Sequence, residues 1–164
     1  MGTRVFIAVI VVFVAGLAAD PADRLLDTVS PVSEGRLPID ESSGIETDGD
    51  GIRWTHDDSG GDNVIYGISA DGSLMRTIQL NGVTNTDWEE MTCDDEGNLY
   101  ICDVGNNDNI RTNLRIHIIP DPSTIAADTV TPSTIFYTFE DQTAFPPPAA
   151  EMNYDVEAVI VHGE

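Results

Sequence analysis

Six residues have the types and placing to do chemistry together: Asp57, Glu89, Asp103, Asn106, Asn107 and Glu157. Carboxylates, amides and backbone carbonyls are hard oxygen donors. A hard cation such as Ca2+ takes about six to eight of them. Two carboxylates aimed at one point repel unless one is protonated or a cation lies between them. The chemistry on offer is therefore divalent-cation binding centred on Glu89 and Glu157, with Asp57, Asp103, Asn106 and Asn107 on the same face. A plainer role stands beside it. Asp and Asn side chains commonly hold turns by accepting backbone N–H groups, and one residue can do both.

Other chemistries fit less well. His56-Asp57-Asp58-Ser59 holds the residue types of a hydrolytic triad, but too close in sequence for triad geometry. No G-x-S-x-G elbow occurs. His56 remains a candidate general base. The stretch Glu46–Gly51, with Asp57 beyond it, imitates an EF-hand loop. It lacks flanking helices and the usual end ligands, so it reads as a hairpin turn.

The elements that must position these residues are short strands. Around 87–107, Met91-Thr92-Cys93 and Leu99-Tyr100-Ile101-Cys102 flank the turn Asp94–Asn98, where Gly97 is free to take positive φ. The strands of such a hairpin are antiparallel, so Asp87 and Glu89 share an edge with Asp103, Asn106 and Asn107. Cys93 and Cys102 then lie out of register for a disulfide and are expected as two small buried thiols, a bridge between them being the alternative that an exported protein leaves open.

The pattern recurs. Ile45 and Met91, Trp54 and Tyr100, and Asp57 and Asp103 are each 46 residues apart. Asp155–Val159 repeats Asp87–Met91 at a spacing of 68, the surplus of 22 falling around Phe145–Pro148. Repeats of this length built from four short strands mark β-propeller blades. Blade one spans 42–81, with strands over Ser43–Thr47, Ile52–His56, Val64–Ile68 and Leu74–Leu80. Blade two spans 87–140, with strands over Glu90–Cys93, Asn98–Cys102, Leu114–Ile119 and Thr134–Phe139. A third begins at 155–164, with a strand over Val156–Val161. The Pro120–Pro132 and 141–154 connections read as loops. His117 alternates with Leu114, Ile116 and Ile118 as a partly covered sheet residue.

The chain has 164 residues, seven Arg, no Lys and 29 acidic residues, for a net charge of −22. That disfavours nucleic acid and anionic lipid as partners and favours cations, solubility or saline surroundings. Residues 1–19 read as an export signal: Arg4, an apolar run from Val5 to Leu17, and small residues before a cleavage point after Ala18. That places the protein outside the cell membrane, secreted, periplasmic or on the surface. Membrane contact is then made through the signal alone. Residues 20–41 form a polar spacer. A closed propeller needs about 4–8 blades, so the rest of the ring is expected from sequence beyond this chain.

The motifs WTHDDSGG (54–61), DWEEM (87–91), GNLYICDVGNN (97–107) and DVEAV (155–159) resemble secreted bacterial β-propeller proteins of largely unassigned function. More distantly, the chain is similar to NHL-repeat, gluconolactonase-type and phytase-like propellers. That resemblance implies a six-bladed ring and a Ca2+ site at the channel mouth, on Glu89 and Glu157. Ser43 stands where a gluconolactonase-type enzyme would place a metal-binding Glu. The expected function is an extracellular module binding protein, glycan or a small molecule through its upper loops. The alternative is a metal-dependent hydrolase, lactonase or phosphoesterase in type, using the channel carboxylates.

Overall fold

A computed structural model describes the backbone of residues 5–6, together with residues 37 and 39–162. Of the expected export signal only the backbone of residues 5–6 is described, and the spacer apart from 37 and 39–41 lies outside the described residues.

The described chain is all-β, with two short 3-10 turns at Pro122–Thr124 and Ala149–Glu151. Two strands, β1 (Val5–Phe6) and β11 (Ile160–Val161), pair antiparallel. One sheet has the order β2 (Ser42–Thr47), β3 (Arg53–Asp57), β4 (Val64–Ile68), β5 (Leu74–Leu80) and β9 (Thr129–Val130). The other runs β6 (Trp88–Cys93), β7 (Leu99–Asp103), β8 (Leu114–Ile119) and β10 (Ser133–Tyr137). Chain order and spatial order agree through the first four strands of each sheet. Short antiparallel hairpins impose that order.

The hairpin turns repeat atom for atom. Asp48 Oδ1 accepts the N–H groups of Asp50 and Ile52, while its Oδ2 accepts the Trp54 indole N–H at 2.8 Å. At the same offset, Asp94 Oδ1 accepts from Glu96 and Asn98, and its Oδ2 accepts the Tyr100 hydroxyl at 3.1 Å. Gly51 and Gly97 both sit at φ +82°. Asp48 is thus a turn residue, as expected for the EF-hand-like stretch.

The sheets meet through their first strands. Gly44 of β2 lies against the backbone of Glu90 and Met91 in β6, where any side-chain carbon would collide. Ser43 Oγ donates to the Glu89 carbonyl at 2.8 Å. The main core lies between the sheets, with Trp54, Ile65, Ile78, Leu80, Trp88, Met91, Leu99, Ile101 and Ile119 buried. A second cluster packs Tyr100, Cys102, Val104 and Ile116 against Val156 and Val159 of the 152–161 segment.

Three expectations are corrected. The Pro120–Pro132 connection is not all loop. Arg76 donates to the carbonyls of Pro122, Ile125 and Ala127, which draws the connection over sheet one and lays β9 parallel to β5. The strand expected over Val156–Val161 is confined to Ile160–Val161, because residues 152–159 make side-chain and loop contacts instead of a ladder. Both cysteines are free, as expected, but Cys93 is only half-buried, opposite Leu99 at the end of β6.

Candidate functional site

The site is built at the exit of one hairpin and the entry to the next sheet. In the β6–β7 ladder, Trp88 pairs with Asp103 and Glu90 with Cys102, leaving Glu89 as an extra residue. Such a bulge breaks the alternation of side chains and re-aims one of them. The β2–β3 ladder shifts at the equivalent place, between Ser42 and Ile45. The bulge is part of the repeat, and it carries Ser43 in the first sheet and Glu89 in the second.

Glu89 meets Asp87 and Asp58. One carboxylate oxygen from each lies within 4.8 Å of the others, an arrangement that could hold a metal ion. Gly105 floors the group. A side-chain carbon there would overlap both the Glu89 and Asp87 carboxylates. Its backbone N–H donates to the Asp87 carbonyl at 3.2 Å.

These groups raise one another's pKa. Glu89 is pushed up to about 8, first by burial and then by the charges of Glu157, Asp87, Asp58 and Asp155. Asp87 is raised by burial, with Arg111 pulling the other way. Glu157 is raised first by burial and then by the charge of Asp155. Carboxylates gathered this closely favour either the protonated form or a cation between them.

The other expected residues fall outside this group. Asp103 is fully buried and fully used. Its Oδ1 accepts from Arg111 Nη2 at 2.7 Å and the Asp87 N–H at 3.1 Å, and its Oδ2 accepts from Arg115 Nε at 2.7 Å. Asn106, also buried, donates to the Tyr154 carbonyl at 2.9 Å, and its own N–H reaches Asp155 at 2.6 Å. Asn107 donates to Asp155 at 3.0 Å. The 103–109 loop therefore clamps the 154–157 segment, as Asn85 joins the 57–58 loop to the start of β6. Asp57 turns to the Tyr66 hydroxyl, whose pKa rises through burial and that charge. Its neighbour Asp58 enters the carboxylate group in its place.

His56 is sealed in the interior. Its Nδ1 lies 2.9 Å from the Asp57 carbonyl, and its ring meets Trp88 edge-on at 5.4 Å. Burial lowers its pKa, and no face of the ring is open to a substrate.

Sequence reasoning missed Asp58 as a partner of Glu89, the bulge, and the role of Arg111 and Arg115. The arginines did leave a signal. Four of the seven lie beyond residue 50, and two of these flank Leu114 just after the Asp103 loop. Comparison with protein-family models, curated proteins and solved structures finds no match to this chain.

Proposed function

We propose that this chain is part of an exported β-propeller that acts as an extracellular binding module, with a Ca2+-type cation held by Asp58, Asp87 and Glu89 and backed by Glu157. The observation that carries it is the meeting of the Asp58, Asp87 and Glu89 carboxylates, with one oxygen of each within 4.8 Å of the others. A hard divalent ion suits an all-oxygen donor set.

The ring itself is supported by the row of first strands, β2 beside β6 and β6 beside β11. Ile45 on β2 is 50 % exposed, whereas its counterpart Met91 on β6 is 2 % exposed. A further blade packed on β2 would bury Ile45 in the same way. The apolar run of residues 5–17 supports export. The binding-module reading is preferred over a hydrolase because the one candidate base, His56, is enclosed. The ligands in view are an extracellular protein, glycan or small molecule, met by the loops around the cation.

Calorimetric titration of the chain with Ca2+ tests this. Binding is expected to release a proton below pH 8 and to tighten about tenfold per pH unit on approaching 8. Glu89→Gln and Asp58→Asn should weaken it at least tenfold. Absence of binding at millimolar Ca2+, or binding indifferent to both substitutions, overturns the cation site.

A further inference from the structure

The outer edge of each sheet is treated differently. In sheet one the end of the edge strand β5, at Gln79 and Leu80, is covered by β9. Gln79 N–H donates to the Asp128 carbonyl at 2.9 Å and Asn81 N–H to the Val130 carbonyl at 2.7 Å, with Arg76 clamping the connection behind them. In sheet two the edge strand β10 pairs with β8 on one side, and no described strand pairs with the other. An uncovered edge is a template for strand addition.

The composition of that edge selects its partner. Residues 129–139, TVTPSTIFYTF, form an uncharged run of eleven between Asp128 and Glu140, in a chain of net charge −22. On β10, Phe136 is 67 % exposed and Ile135 39 %. A basic partner would be drawn to the acidic faces, and this strand offers it nothing. The strand does suit its own sequence. Antiparallel pairing centred on Ile135 sets Ile135 opposite Ile135 and Phe136 opposite Thr134, with no charge facing another.

We infer that β10 is a homotypic docking edge. Two copies of this chain join β10 to β10, and ionic strength controls the association. Each copy repels the other through its acidic faces, so the free energy of the neutral contact shows only when salt screens that repulsion. Screening length falls from about 10 Å at 0.1 M salt to about 3 Å at 1 M. The dimer therefore forms at high salt, the reverse of what docking to a basic partner would show.

Sedimentation equilibrium of the full chain tests this at 0.1 M and 2 M NaCl. The expected result is a dimer constant at least tenfold tighter at 2 M. Phe136→Glu and Ile135→Glu should abolish it, while Met75→Glu, at another exposed apolar residue but on β5 of the other sheet, should leave it intact. Ile135→Cys gives a second readout that does not depend on the charged variants folding. Opposed Cα atoms in an antiparallel pair lie about 4.5–5.5 Å apart, within disulfide range. Oxidation should then link two copies of Ile135→Cys at 2 M NaCl and should not link Met75→Cys. A monomer at both salt concentrations, a dimer that weakens with salt, or failure of Ile135→Cys to cross-link overturns the proposal.

Discussion

Gly105 lies directly beneath the Glu89 carboxylate, so close that a single methyl group would overlap Glu89 Oε1 and Asp87 Oδ2. The carboxylate group and the 103–109 loop are thus one packed unit, and the loop backbone sets how near the acids approach. Gly105→Ala should cost about 1–3 kcal/mol, the usual range for overpacking, read as a lower urea midpoint. It should also weaken Ca2+ binding by displacing Glu89. Unchanged stability and binding would show that the loop yields freely.

Asp103 neutralises two arginines inside the protein. Asp103→Asn keeps the shape and removes the charge, leaving Arg111 and Arg115 beside a neutral amide. Removing one partner of a buried ion network costs about 3–5 kcal/mol. Chemical denaturation should show a loss of that order. A loss under 1 kcal/mol would mean that solvent reaches the arginines and screens them.

Acid and alkali should act on different groups. Burial and Arg115 hold His117 down to about 4 against an ordinary 6.5. Its folded pKa is depressed, so its neutral form stabilises the fold above pH 6.5, and that contribution is lost as pH falls toward 4. Glu89 runs the other way. Its folded pKa is raised from 4.5 to about 8, so its contribution is complete below pH 4.5 and is lost as pH rises to 8. Thermal melts without Ca2+ should therefore show a fall between pH 6.5 and 8, and Glu89→Gln or saturating Ca2+ should flatten it. A fall that survives both would assign the alkaline loss to other groups.

Asp48 closes the first hairpin with both carboxylate oxygens. Asp48→Ala leaves the buried Trp54 indole N–H without a partner and frees two turn amides. The cost should be about 1–3 kcal/mol. Asp94→Ala should cost less, because the Tyr100 hydroxyl and Asn98 amide it releases are part-exposed and can turn to water, whereas the Trp54 indole N–H is buried. Parallel urea titrations compare the two, and an equal loss would contradict the difference in hydrogen bonding.

Much of this was legible beforehand, and for a local reason. The Asp-x-x-Gly turns at 48–51 and 94–97, with alternating apolar runs on either side, determine the hairpins and their 46-residue spacing. Turn chemistry and period-two patterning act within a few residues. They also brought Asp87 and Glu89 to the same edge as Asp103, since an antiparallel hairpin allows nothing else.

Tertiary structure decided the rest, because it depends on contacts between segments far apart in the chain. Whether Asp57 or Asp58 joins Glu89 turns on a bulge and on the approach of β2 to β6, which no spacing encodes. Asp103 looked like an open ligand until Arg111 and Arg115 closed on it. His56 looked available until Trp88 covered it. The sequence by itself determined which strands form and where acidic residues gather. Packing between the two sheets decided which of those acids meet one another and which are neutralised by arginine.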